Sequence, residues 1–138
     1  MKKIAGITEY DGTAYFGWQI QPGVPTVQQT IEEAISRLLS GKRVHITGAS
    51  RTDRGVHATG QVFHFQAEMP YPLAECKKRL NSILPPSIAI RDLKYVPESW
   101  HARYNAEAKL YQYTIVPVSY THLRAHETSL HLVCRLLL

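Results

Sequence analysis

The sequence predicts an α+β fold, in which an antiparallel sheet carries two helices on one of its faces. Segments typical of strands and helices follow one another as strand, helix, strand, strand, helix, strand, with one more strand behind them. Both helical segments place their apolar residues on one face at helical spacing. The chain has 138 residues, 44% of them hydrophobic and 20% charged, which suits one compact domain with its own core.

The first strand and the first helix have clear boundaries. The apolar run KIAGITEY predicts a strand that ends at the turn Asp11-Gly12. Thr26 and Gln29 have the spacing of a capping box, and Gly41 stands where a C-terminal cap is expected. The residues between these caps that recur on one helix face are Ile31, Ala34, Ile35, Leu38 and Leu39.

Two strands are predicted next, in RVHITGAS and in HATGQVFHFQA. Side chains alternate between the two faces of a strand. In the second of these segments, Phe63 and Phe65 therefore point to one face, and Val62 and His64 point to the other.

The second helix is predicted in PLAECKKRLNSILPP, where the pair Pro85-Pro86 stops it. Its apolar face consists of Leu73, Cys76, Leu80, Ile83 and Leu84. The runs SIAIRDLKYVP and AKLYQYTIVPV predict the fourth and fifth strands. This order of elements is that of a ferredoxin-like (RRM-like) split βαβ domain.

The composition limits the functions open to the chain. A net charge of +5 and a pI near 9.3 favour a polyanionic partner such as nucleic acid. No apolar run approaches the roughly 18 residues that span a bilayer, and the N-terminus lacks the apolar stretch of a signal peptide. Cys76 and Cys134 are far apart, which indicates neither a zinc site nor a disulfide framework. We therefore expect a cytoplasmic protein without a membrane partner.

The segment SRTDRGVHATGQV places one carboxylate, Asp53, between Arg51 and Arg54. Flanking cations favour the ionised carboxylate and are expected to lower its pKa. A carboxylate held in this way on a glycine-containing loop suits a nucleophile or a general base. The alternative is a salt-bridged aspartate that caps a turn.

Aromatic and amide side chains are interleaved in the loop YDGTAYFGWQIQPG. These are Tyr10, Tyr15, Phe16 and Trp18, beside Gln19 and Gln21. Such mixtures stack on bases and bond to their edges in single-stranded RNA recognition. The alternative for each aromatic residue is a place at the edge of the core. A similar mixture recurs around Arg103 and Tyr104. Tyr111 and Tyr113 share one face of a predicted strand, where tyrosines usually pack, although one of the two could face a cleft.

These segments carry a family resemblance. YDGTAYFGWQIQP, TVQQTIEEAI, RTDRGVHATGQV, HARY and AKLYQYTI resemble, in their order and spacing, the tRNA pseudouridine synthase A family. The resemblance extends from Lys3 to Val118. It implies an enzyme that converts uridine to pseudouridine in the tRNA anticodon stem-loop, as a homodimer in the family and without metal or cofactor. The N-glycosidic bond breaks and the base is rejoined through carbon.

The resemblance also implies roles for individual residues. Asp53 matches the catalytic aspartate, and whether it attacks the sugar or the base stays open. Arg51 matches an arginine that fills the stack vacated by the flipped uridine, and Tyr111 matches a tyrosine that packs against the flipped base. Extruding a base costs a few kcal/mol, so such partners are needed. Thr52 and Arg103 complete the substrate-binding candidates.

The chain departs from the family pattern at two places. Ser50 and Arg54 stand where glycine and alanine are commoner in the family. Residues 119–138 leave the pattern altogether and resemble a translated sequencing-adapter readthrough. We expect residues 1–118 to be the N-terminal catalytic domain, residues 119–138 to be a non-native tail, and the family's second domain to be missing. A histidine-rich metal site and a C-terminal helix are the alternatives for the tail.

Two other functions remain open. A non-catalytic RNA-binding module of the same fold is the first, although the third strand lacks the aromatic RNP1 pattern. A structural scaffold domain is the second, and it leaves Arg51, Thr52 and Asp53 without a purpose. If the cleft lies between two domains, we expect the single domain to bind tRNA weakly and to be inactive alone.

Overall fold

The computed structural model describes residues 1–103 in full and, beyond them, the backbone of two strands. Its elements follow the chain in this order: β1 (Lys2–Tyr10), a 3₁₀ turn (Gly12–Ala14), α1 (Val27–Leu38), β2 (Thr47–Gly48), β3 (His57–Ala67), α2 (Leu73–Ile83), β4 (Ile88–Val96), β5 (Ala108–Ile115) and β6 (Leu130–Leu137). The predicted order of strands and helices is confirmed from β1 to β5. Residues 119–138 contain β6, so the alternative of a C-terminal helix is wrong for Leu130–Leu137.

Strands β1 to β4 form an antiparallel sheet in the spatial order β4-β1-β3-β2. Both helices contribute to the hydrophobic cluster on one face of this sheet. This is the ferredoxin-like split βαβ arrangement, so the predicted fold class is confirmed. Strand β3 also pairs with β6, in the parallel direction. Strand β6 in turn pairs with β5, in the antiparallel direction.

The core lies between the sheet and the helices. Phe63 and Phe65 stack there with ring centroids 6.1 Å apart, and Gly6 leaves the space that the Phe63 ring fills. Val62 and His64 lie on the opposite side of the sheet, which we call the outer face. The predicted alternation along β3 is therefore confirmed.

The predicted caps of α1 are present. Thr26 Oγ1 accepts a hydrogen bond of 3.3 Å from the Gln29 backbone N–H. The Gln29 side chain bonds to Glu33 instead of returning to Thr26, so one half of the capping box forms. At the other end, Gly41 has a φ of 92° and donates its N–H to the Ser36 carbonyl at 2.8 Å. A left-handed residue at this place satisfies carbonyls that the last helical turn leaves open.

The second helix ends where the prolines predicted it to end. Leu84 is extended, and Pro85-Pro86 follow. The Asn81 amide ties α2 to the sheet, because it donates to the Ile90 carbonyl at 3.0 Å and accepts from the Ile90 N–H at 2.7 Å. Within the described residues, no helix is long and apolar enough to cross a membrane.

The second strand is much shorter than predicted. The sequence predicts it over residues 43–50, and the prediction is wrong outside Thr47–Gly48. Side chains of α1 take the backbone bonds of Ile46: Glu32 Oε2 accepts from its N–H at 3.1 Å, and Gln28 Nε2 donates to its carbonyl at 3.1 Å. A backbone bonded to a helix in this way does not need a strand neighbour.

A chain that ends at Val118 tests the role of residues 119–138. That this segment is foreign to the fold remains a prediction, although β6 lies within it. The core between sheet and helices is built from β1, α1, β3, α2 and β4, and β6 pairs with β3 at three positions, His57, Ala58 and Gly60. We therefore expect the melting temperature to stay unchanged or to rise on deletion, as measured by thermal unfolding. A fall of several degrees would mean that β6 contributes roughly 1 kcal/mol or more.

Candidate active site

Residues 49–56 connect β2 to β3 and form what we call the Asp53 loop. Its neutral side chains face inward: Ser50, Thr52 and Val56 are all buried. Its charged side chains, Arg51, Asp53 and Arg54, are exposed. The loop therefore presents a carboxylate between two cations, while its small residues attach it to the domain.

A second loop, residues 11–18, packs against the Asp53 loop and is bonded to its backbone. We call it the supporting loop. The Trp18 N–H donates to the Thr52 carbonyl at 3.0 Å, and the Gly55 N–H donates to the Tyr15 carbonyl at 3.2 Å. The hydroxyls of Tyr10 and Thr52 share a buried hydrogen bond of 2.8 Å. These bonds leave the residues on both sides of Asp53 with fixed backbone positions.

Glycines permit the close approach of the two loops. Gly17 has a φ of 84°, and a Cβ there would lie 2.5 Å from the Thr52 carbonyl oxygen. A Cβ on Gly12 would overlap the Val56 carbonyl. Any side chain at either position would force the loops apart.

The supporting loop begins with a carboxylate of its own. Asp11 caps the 3₁₀ turn by accepting a hydrogen bond of 3.0 Å from the Thr13 N–H. Hydrogen bonds from the Thr13 hydroxyl and backbone hold the pKa of Asp11 below its ordinary value. Asp11 is therefore a turn residue, as the sequence predicts.

Arg54 occupies a place that the sequence did not indicate. Its guanidinium carbon lies 4.3 Å from the centroid of the Phe16 ring, in a cation–π arrangement. Phe16 is held by hydrogen bonds from its own N–H to Pro25 and from Gln21 to its carbonyl. Among residues 1–103, no ion pair joins Asp53 to an arginine. In this part of the chain the Asp53 carboxylate is exposed rather than salt-bridged.

Arg51 and Arg103 line one cleft of about 100 Å³ beside the Asp53 loop. The two residues come from distant parts of the sequence, so folding brings together two of the predicted substrate contacts. Trp18, Gln28 and His45 also line this cleft. Two arginines on one small cleft favour an anionic group such as a phosphate.

Most of the aromatic residues near the site belong to the core. Tyr10, Tyr15 and Trp18 are buried, and Trp18 packs between Tyr10 and Phe63 at centroid distances of 6.2 Å and 6.4 Å. The prediction that they stack on bases is wrong for these three, and the core-edge alternative is confirmed. Phe16, the fourth aromatic residue of this segment, is half-buried.

Two predicted contacts cannot be placed. The side chains of Tyr104 and Tyr111 lie outside the described residues. Of Tyr111 the structure gives the strand position, in β5 opposite Cys134 of β6.

Sequence reasoning missed a second group of residues on the outer face. Residues 97–103, which we call the crossing segment, pass over this face after β4. Lys3 Nζ donates to the carbonyls of Glu98 and Trp100 at 2.7 Å and 2.8 Å. His64 Nδ1 accepts the Ala102 N–H at 3.1 Å. His64 was visible as a polar residue between two phenylalanines, but its partner lies 38 residues away.

Burial lowers the pKa of His64 to about 4, and the nearby charges of His101, Lys3 and His45 add to the effect. The Nδ1 atom accepts a hydrogen bond, so the proton of the neutral ring is on Nε2. The described part of the chain contains no group of three His, Cys, Asp or Glu residues that could hold a metal ion.

The fold and the site define a basic α+β domain that presents a carboxylate between arginines on a supported loop. Residues 7–105 match the family model described as tRNA pseudouridine synthase, and the chain belongs to that family.

Several relatives support this membership. The tRNA pseudouridine synthase A of Ruminiclostridium cellulolyticum is 50% identical over 115 residues, which cover 83% of this chain and 46% of that protein. The protein of the same name from Geobacter sp. (strain M21) is 47% identical over 84% of this chain and 47% of its own length. The one from Geobacillus sp. (strain WCH70) is 44% identical over 83% and 46%. The chain spans about half the length of the curated relatives it matches.

The low pKa of His64 predicts a loss of stability in mild acid. In the unfolded chain His64 takes up a proton near its ordinary value of 6.5, whereas in the fold it does so near 4. Stability is therefore present above pH 6.5 and declines as the pH falls from 6.5 to 4, by about 3 kcal/mol from this residue. Urea unfolding of the wild type and of His64→Asn between pH 7.5 and 4 measures this contribution of His64 to the free energy of unfolding. The difference between the two curves must change over this window, and parallel curves would contradict the assignment.

Proposed function

We propose that this chain carries the catalytic domain of a tRNA pseudouridine synthase, with Asp53 as the catalytic carboxylate. One observation supports the proposal most directly. An exposed carboxylate stands between arginines on a loop whose backbone is bonded to a second loop. Membership of the family and the names of the relatives support the reaction class.

The proposed reaction is an isomerisation of uridine within tRNA. The bond between the ribose and a base nitrogen breaks, the base turns, and a bond forms between the ribose and a ring carbon. The carbon gives up its hydrogen and the nitrogen gains one, so the product has the composition of the substrate. The proposal therefore includes no oxidant, metal or cofactor. Asp53 begins this exchange as a nucleophile or as a general base.

The target uridine lies in the anticodon stem-loop under this proposal, and it must leave its stack before it reaches Asp53. Arg51 fills the vacated space, because a planar guanidinium stacks on neighbouring bases. Arg103, on the same cleft, neutralises a phosphate of the flipped nucleotide. Tyr111 packs against the extruded base.

Thr52 serves the same site from beneath. Its hydroxyl is buried in the hydrogen bond to Tyr10, and its carbonyl accepts from Trp18. We therefore assign to Thr52 the placing of its two neighbours, Arg51 and Asp53, against the substrate. Under this proposal Thr52 contributes to substrate binding indirectly, because it fixes the loop backbone that carries Arg51 and Asp53.

The partner under this proposal is tRNA, and the full-length protein acts as a homodimer in the cytoplasm. The net charge of +5 and the two arginines on one cleft support a polyanionic partner. A non-catalytic RNA-binding module would use the same arginines, and the chemical role of Asp53 separates the two functions.

Replacing the aspartate of the RTD motif tests that role in a full-length relative. We expect Asp53→Ala to reduce pseudouridine formation to background, while the dissociation constant for tRNA changes less than about threefold, because the carboxylate takes part in the reaction and contributes little to phosphate contact. Tritium release from labelled tRNA and filter binding are the two measurements. Asp53→Asn, which keeps the shape of the side chain, is expected to be equally inactive.

The matched control replaces by its amide an exposed carboxylate beyond the opposite end of β3, where this chain has Glu68. It is expected to leave turnover and binding as in the wild type. Turnover retained by Asp53→Ala would exclude Asp53 as the catalytic group, and lost tRNA binding would favour a role in recognition.

The 138-residue chain itself is expected to bind tRNA weakly, with steep loss of affinity as salt rises, and to leave uridine unmodified. Each phosphate neutralised by an arginine contributes a slope of about −0.7 to −0.9 to the salt dependence of binding, so Arg103→Ala, which removes the proposed phosphate contact, reduces the slope by about one. Catalysis requires the flipped base to be enclosed, which we expect from the rest of a full-length protein.

Fluorescence titration over a salt series, with Arg79→Ala on α2 as the control, gives the slopes. Chemical mapping of pseudouridine after incubation with unmodified tRNA gives the activity. Modification at an anticodon-stem uridine that is lost on Asp53→Ala would mean that this chain forms a complete site.

A further inference from the structure

The crossing segment is attached to the outer face at two points. At its beginning, the Lys3 ammonium bonds to the carbonyls of Glu98 and Trp100. Near its end, the imidazole of His64 accepts the Ala102 N–H. Ala102 is fully buried, in a cluster with Ala49 and Val62. The segment is therefore fixed to β1 and β3, the two central strands of the sheet.

Arg103 follows the second attachment directly. Its N–H donates to His101 Nδ1 at 3.1 Å, so its backbone direction is set as well. Arg103 also lines the cleft of Arg51. The position of Arg103 on this cleft depends on where its neighbour Ala102 is held, and His64 makes the hydrogen bond that holds Ala102.

His64 is suited to this task by its surroundings. It is 9% exposed, its ring lies edge-on to Trp100 at 6.1 Å, and it lies 4.5 Å from His101. The charged and titratable groups that face it are Lys3 from β1, His101 from the crossing segment and His45 from the residues before β2. Burial, with the Lys3 ammonium nearby, keeps the ring neutral near pH 7, and only a neutral ring offers an acceptor nitrogen to Ala102.

We propose that His64 is a positioning residue for Arg103: it anchors Ala102 through Nδ1 and thereby keeps Arg103 on the cleft that it shares with Arg51. Lys3 acts in the same way at the other end of the crossing segment. Neither residue contacts the substrate under this proposal. The inference rests on the proposed function, because it assigns Arg103 a contact with RNA.

A double-mutant cycle with tRNA binding tests the dependence on Arg103. We expect His64→Leu, which removes the acceptor, and Arg103→Ala each to weaken binding several-fold at low salt. The double variant is expected to bind no more weakly than Arg103→Ala alone, because an arginine that is absent cannot be misplaced. His64→Asn is expected to bind within about twofold of the wild type, since its amide oxygen lies where Nδ1 was.

The control cycle pairs His64→Leu with Arg79→Ala on α2, where the two effects are expected to multiply. Lys3→Met covers the case in which His64→Leu fails to fold. If Lys3 only contacted a phosphate, the losses of affinity in Lys3→Met and Arg103→Ala would multiply in the double variant. A positioning role for Lys3 instead makes the loss in the double variant smaller than that product. Multiplying effects in both Arg103 cycles, or an unchanged affinity in His64→Leu, would overturn the proposal.

Hydrogen exchange of the Ala102 amide, followed by NMR without RNA, separates this inference from the proposed function. We expect slow exchange in the wild type and in His64→Asn, and exchange at least about tenfold faster in His64→Leu. A wild-type chain that binds no tRNA but protects Ala102 would count against the RNA-binding function and leave the anchor standing. An unprotected Ala102 amide in the wild type would overturn the anchor itself.

Discussion

The close approach of the supporting loop to the Asp53 loop is the constraint on which the site depends. The Trp18 N–H reaches the Thr52 carbonyl because Gly17 has no side chain and adopts a left-handed conformation. A substituent at Gly17 would displace the carbonyl of the residue that immediately precedes Asp53. The geometry of the Asp53 loop is thus set by backbone atoms, and its charged side chains are left to face the solvent.

The buried aromatic residues pack beneath the two loops and support their backbones. Trp18 is wedged between Tyr10 and Phe63, and it covers the backbone of Gly48 at the end of β2. The loop that carries Asp53 therefore starts from a strand packed on the tryptophan that also bonds to Thr52. A precise site on a loop requires such support, because a displacement of about 1 Å can cost a hundredfold in rate.

Much of the fold could be predicted because its signals are local. The cap at Thr26, the prolines after α2 and the alternation along β3 each act within a few residues. The predicted length of β2 was wrong because Gln28 and Glu32 of α1, 18 and 14 residues before Ile46, take the backbone bonds of that residue. A strand pattern contains no information about a competing side chain on a helix.

The candidate site was predicted to a similar extent. The charged residues around Asp53 were found from their sequence, and Arg103 was named, but its cleft with Arg51 is a product of the tertiary fold. The aromatic residues of the supporting loop were assigned to RNA, although three of them are core residues. Composition alone could not separate the two, since tyrosine and tryptophan serve both purposes. The anchor at His64 depends on a partner 38 residues away, which no local pattern reveals.

The central place of β1 has a consequence for how the protein is made. This strand is synthesised before both of its neighbours, β3 and β4, and Lys3 contacts the carbonyl of a residue 97 positions later. Until β4 has been synthesised, β1 has one vacant edge and cannot complete the sheet. Folding that depends on such distant contacts is slow and leaves apolar strands open to other chains in the meantime. Synthesis must therefore proceed to Val96, the end of β4, before β1 is enclosed on both sides, and protection by chaperones matters most during that interval.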